Sequence, residues 1–158
     1  MRRSLGTLLA AATLAVTASC GSAGSSTGTA GGGQDGPTPG TAVPGARTVL
    51  VSQTAAGGRP SESATLLETA GQVSAFTSQF RGPGLRLQVQ QAVDRLSKTG
   101  HVIVGSVVAV GCDRPPGVDV VYGEDTTIRL LPHEVASPLQ ECLAPVTTVA
   151  VASVPGSD

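Results

Sequence analysis

Between Arg47 and Pro155 the spacing of apolar positions changes several times, and each change marks an element. RTVLVSQ, Arg47–Gln53, is rich in β-branched residues and predicts a strand. AAGGRPSES follows and predicts a loop, because glycine, proline and serine favour turns. In LLETAGQVSAFTSQF, Val73, Phe76 and Phe80 recur at spacings of three and four, with Leu66 and Leu67 earlier. That pattern predicts a helix with one buried stripe, capped by Thr69 or Ser63. RGPG, Arg81–Gly84, breaks it. LRLQVQQAVDRLSKTG then sets Leu85, Val89, Val93 and Leu96 on one face of a second helix, with Gly100 as its stop.

HVIVGSVVAVGC, His101–Cys112, is apolar on both parities, the mark of a central strand covered on both faces. VDVVYG and TTIRLLP read as a hairpin turning near Gly123-Glu124-Asp125, and a polar loop from Pro132 leads to Cys142. VTTVAVASV, Val146–Val154, is the last strand, with an alternation that suits one wet face. Helices and strands in runs point to an α+β fold: a small, mostly antiparallel sheet of about five strands with two helices on one face and one disulfide.

Upstream the pattern is different. Met1-Arg2-Arg3 is basic, and Leu5–Val16 is an uncharged apolar run. The run has the length of a signal-peptide core and falls short of the roughly 20 residues that span a bilayer. Thr17-Ala18-Ser19 and then Cys20 follow. These residues resemble the bacterial lipoprotein signal, the lipobox. The resemblance implies cleavage before Cys20, residues 1–19 being a signal peptide, and a diacylglycerol on the Cys20 thiol. It implies attachment to the extracytoplasmic face of the cell membrane. An ordinary secretory signal that contains a cysteine is the competing reading, and Arg2-Arg3 leaves the twin-arginine export route open.

Residues 20–46 are Gly, Ser, Thr, Ala and Pro with few exceptions. Such a composition buries too little apolar surface to offset its ordering entropy, so the expectation is a disordered tether with a span of roughly 27 Å. A glycosylated Ser/Thr/Pro segment is the alternative. Residues 47–155 then form a single domain, large enough for one core.

Composition narrows the function by exclusion. Net charge is −1, and no cluster of lysine and arginine marks one face, so nucleic-acid binding gains no support. Tryptophan is absent, and Tyr122, Phe76 and Phe80 are the sole aromatics, which argues against stacking of sugars or bases. Assigning Cys20 to lipid leaves Cys112 and Cys142 as a pair. Outside the cytoplasm such a pair is expected to be a disulfide, and neither His101 nor His133 has metal-ligand spacing with them. The bridge would clip the end of the central strand to the entrance of the last one, making those strands neighbours or nearly so.

No catalytic signature is present, so the expectation is a chain without enzymatic activity, cofactor or metal. Ser137, His133 and Asp113 could be drawn as a triad, and His133-Glu134 as a pH-sensitive contact or a solvated loop pair. GCDRPPGVDV holds a rigid turn whose Asp113, Arg114, Pro115 and Pro116 are candidate partner contacts; a turn that merely reverses the chain is the alternative. That turn, the two strands after it, the closing VTTVAVASV and the earlier TVLVSQT and QVSAFTSQF together resemble the PrcB-like C-terminal domain family. The resemblance implies a module that binds or stabilises a protein partner. The expected function is thus a membrane-anchored interaction module at the cell envelope, its expected partners being the membrane and an envelope protein. A small hydrophobic-ligand or lipid carrier and an unrecognised hydrolase are the alternatives.

Overall fold

A computed structural model describes residues 38–156. Cys20 and the signal-like segment lie outside the described residues. Six strands and two helices follow in the order β1 (Arg47–Thr54), β2 (Thr65–Leu66), α1 (Ala70–Thr77), α2 (Gly84–Leu96), β3 (His101–Gly111), β4 (Val118–Tyr122), β5 (Ile128–Pro132) and β6 (Val146–Pro155). The fold is α+β with antiparallel pairing throughout, as the pattern of the sequence predicts.

The strands are divided differently from the expected single sheet. Four form one sheet in the order β1-β6-β3-β2, and β4 and β5 form a second. Both helices pack on one face of the larger sheet, where Leu85, Val89, Ala92 and Val93 of α2 and Val73 and Phe76 of α1 meet Val51, Ile103, Val107, Val149 and Val151. The β4–β5 hairpin covers the opposite face, packing Val120 and Leu130 against Val104, Val108, Ala150, Ala152 and Val154. Two-sided covering is why β3 is apolar on both parities. It also removes the wet face expected for β6, which is buried from Thr147 to Val154. Alanines at 150 and 152 let the hairpin approach, and the hydroxyls are satisfied internally. Thr147 Oγ1 donates to Gly57 O at 2.6 Å, Thr148 Oγ1 lies 3.0 Å from Ser52 Oγ, and Ser153 Oγ lies 3.1 Å from His101 Nδ1. Among the described residues no buried side-chain polar atom lacks a partner.

Local chemistry explains the element ends. Thr69 caps α1 and Gln72 reaches back to its backbone, a reciprocal capping box. Leu66 and Leu67 belong to the strand segment before that cap rather than to the helix, with Leu67 on the helix side and Leu66 on the other. Pairing with β3 overrides their helical spacing. α2 stops at Leu96, and Gly100, at φ +75°, serves the turn into β3 instead of capping the helix. The register of β3 on β6 shifts between Val107 and Ala109, a bulge that lets Val107 and Val110 share the helix face while Val108 faces the hairpin.

The tether expected over residues 20–46 is shorter at its C-terminal end. Gly40 N donates to Tyr122 O at 2.6 Å, Val43 N to Val120 O at 2.9 Å, and Val43 is buried. Composition disfavours order here, but β4 would otherwise carry unpaired backbone groups, and backbone pairing needs no particular side chain.

Candidate functional site

The segment Ser61–Leu67 bonds to both sheets. Ser61 N donates to Val107 O and Leu67 N to Ile103 O on the larger sheet. Between them, Ala64 N donates to Ile128 O and Leu130 N to Glu62 O on the hairpin. Glu62 also forms an ion pair with Arg129 of β5. Residues 40–43 line the far side of β4, and residue 47 begins β1. The whole therefore curls into an incomplete barrel, running β1, β6, β3, β2, β5, β4 and the 40–43 segment, with the helices outside it. Its interior is the Val104–Leu130–Ala150 core.

One end of this barrel is open. A cavity of about 690 Å³ lies there, lined by the start of β3, the end of β6, Leu66, Pro44 and the hairpin tip. Among the described residues, none that lines it is charged. Val102, Val104, Val154 and Ile128 form the apolar wall; Tyr122, Thr126 and Thr127 supply the polar side chains. Leu66 is 46% exposed at the lip, an apolar side chain that the fold leaves half in water.

The hairpin tip is built against the preference of its residues. Asp125 and Thr126 both have positive φ, 53° and 59°, and Thr127 N closes the turn on Glu124 O at 3.1 Å. Such a turn normally carries Asn-Gly, because a β-branched residue in the left-handed region is strained. Thr126→Gly is therefore expected to raise stability by about 0.5–1 kcal/mol, the left-handed penalty less the entropy of glycine, read as a higher melting temperature. Thr126 and Thr127 hydroxyls donate to the carbonyls of Asp125 and Glu124, so local bonds offset part of the strain.

The opposite end carries the disulfide. Cys112 and Cys142 are bridged with Cα atoms 5.3 Å apart, at the place expected, since Gly111 of β3 pairs with Val146 of β6. Of the four candidate contacts beside it, Arg114 and Pro116 are exposed and Asp113 is half-buried, accepting from Leu139 N at 2.7 Å. Pro115 is buried and offers no contact surface, because the turn folds its ring inward. Leu139 and Leu143 stand out in water, Leu143 fully exposed. His133 Nε2 lies 2.9 Å from Asp119 Oδ1, and its ring takes the space a Cβ at Gly117 would fill, 2.6 Å from Nδ1. His133 and Asp113 thus have separate partners, and the Ser137–His133–Asp113 triad is not assembled. Among the described residues no three His, Cys, Asp or Glu side chains are grouped to hold a metal ion. No described helix is long and apolar enough to cross a membrane.

The barrel mouth escapes sequence reasoning because its wall comes from six separate segments. The one local trace is Leu66, an apolar residue next to a polar loop that the helix does not absorb. No family model, curated protein or solved structure matches this chain.

Proposed function

We propose that this chain is a membrane-anchored lipoprotein of the extracytoplasmic face whose domain holds a small hydrophobic ligand, without chemistry of its own. The observation that carries this reading is the uncharged, aliphatic cavity of about 690 Å³ at the barrel mouth. Its volume lies within the range of small-molecule sites, and barrel mouths are a recurrent place for them. Each methylene moved from water into such a wall contributes about 0.8 kcal/mol, so an alkyl chain gains affinity with length. The wall is aromatic-poor, which suits a flexible chain better than a flat ring. The N-terminal segment supports the anchoring half. Residues 40–43 attach along β4, and Gly40 bonds to Tyr122 of the mouth. Gly40, close to the first described residue, thus lies at the open end.

Native mass spectrometry of the protein purified from membranes tests the reading, with extraction of any retained lipid. A retained aliphatic ligand in wild type and none in Val102→Trp is the expected result. Val102 is half-buried on the cavity wall, so an indole grows into the void rather than into the packed core. Repeated absence of ligand from the wild-type protein, with no uptake of added lipid, would sink it.

A second reading, an interaction or stabilising module for an envelope protein, is favoured by Leu139 and Leu143 at the disulfide end. Exposed aliphatic side chains on a pinned loop lose little entropy on docking. Leu143→Asp should abolish co-purification of such a partner and leave the melting temperature within about 2 °C, since the side chain makes no core contact. Equal recovery of the partner with the variant would remove this reading.

A further inference from the structure

The polar atoms of the mouth narrow the ligand class. Three lining side chains carry hydroxyls, those of Tyr122, Thr126 and Thr127. Thr126 Oγ1 is bonded to Asp125 O at 2.6 Å and Thr127 Oγ1 to Glu124 O at 2.7 Å. Both threonine protons are spent in holding the tip. The Tyr122 hydroxyl is the lining donor not engaged in that way. Among the described residues no lysine or arginine lines the cavity, so an anionic head would lose its hydration without meeting a counter-charge there. Of the ionisable residues beside lining positions, Glu124 and Asp125 are exposed in the same tip and of the wrong sign for an anion, and His101, next to Val102, has its Nδ1 3.1 Å from Ser153 Oγ. Arg129, the nearest cation along the hairpin, is paired with Glu62.

Taking the mouth as a hydrophobic-ligand site, we infer that its ligand is a neutral single-chain amphiphile of the monoacylglycerol type, drawn from the adjoining membrane, with its head oxygens on the Tyr122 hydroxyl and its alkyl chain along Val102, Val104 and Val154. A free fatty acid carries the same chain but the wrong head. The proposal therefore predicts discrimination by head group at constant chain length.

The chain supplies its own reporter. Tyr122 is the sole tyrosine and there is no tryptophan, so intrinsic emission arises from the mouth. The test uses the full exported chain carrying Cys20→Ser, which needs no detergent, titrated with 1-decanoylglycerol and separately with decanoate at neutral pH. Tyr122 emission should saturate with decanoylglycerol at a concentration roughly tenfold below that for decanoate. Calorimetric titration of Tyr122→Phe, which keeps the ring and its packing, should show decanoylglycerol weakened by about 3- to 10-fold and decanoate unchanged, the effect of one hydrogen bond. If decanoate binds as tightly as decanoylglycerol, or Tyr122→Phe alters neither, the head-group inference is wrong while the hydrophobic-ligand reading stands. If neither amphiphile binds the wild-type residues, both are wrong.

Discussion

Removing the Cys112–Cys142 bridge is expected to lower stability by about 3.6 kcal/mol, the chain-entropy value for a closed loop of roughly this size. The two cysteines are 30 residues apart and enclose the whole β4–β5 hairpin. Without the bridge, the unfolded chain regains the freedom of that loop, while the native pairing of Gly111 with Val146 survives. For a domain of this length, about 4 °C per kcal/mol converts the loss to a melting temperature lower by roughly 15 °C. Thermal unfolding followed by far-ultraviolet circular dichroism, with and without reductant, reads this directly, and the Cys112→Ser/Cys142→Ser double variant should match the reduced protein. Coincident melts of oxidised and reduced protein would show that the hairpin needs no covalent clip.

Phe80→Ala is expected to cost about 3–5 kcal/mol, the transfer free energy of the ring plus the cavity it leaves. Phe80 is 1% exposed and meets Phe76 edge to face, with centroids 5.6 Å apart and planes at 81°. Its ring also occupies the place of a side chain at Gly58. A Cβ there would sit 2.9 Å from Cε1, and the φ of +103° is one that glycine alone adopts readily. Loop 55–60, the end of α1 and the middle of β3 therefore share one aromatic, and the site cannot collapse without moving all three. Urea unfolding should show a lower midpoint at unchanged slope. A loss below about 1 kcal/mol would place the ring outside the cooperative core.

Two features of the molecule act against each other at the mouth. The strained Asp125-Thr126 tip lowers stability, and the same tip lines the cavity. A side chain retained where glycine would be easier is consistent with a functional demand at that position, since strain persists where surrounding structure imposes it. The disulfide offsets such a cost from the other end of the barrel, where it touches nothing in the cavity wall.

Most of the elements and the clip were legible in the chain alone, β2 and the ordered residues 40–43 being the exceptions. Val73 and Phe76 mark α1 because a helix repeats its buried face every three to four residues, while Phe80, on the same spacing, falls in the turn after the helix ends at Thr77. The continuous apolar run of His101–Cys112 reveals a strand with two covered faces, and Thr69 is one of the two candidate helix caps, the structure choosing it over Ser63 through the reciprocal bond of Gln72. The pairing of Cys112 with Cys142 follows from counting, and its place follows from strand order. These are local or arithmetic facts, carried by residues close together in the chain. What covers the second face of β3 and β6 was decided by tertiary structure alone. VDVVYG and TTIRLLP pair with each other equally well in one sheet or in a second layer, so their alternation leaves the layer open. The choice falls to Ala150 and Ala152, small enough to admit the hairpin, and to the backbone of Ser61–Leu67, which bonds to both sheets through groups every residue carries. The cavity is a product of that closure. Pro44, Leu66, Val102, Tyr122 and Val154 meet there from distant parts of the chain, and no spacing along a sequence records a void between them.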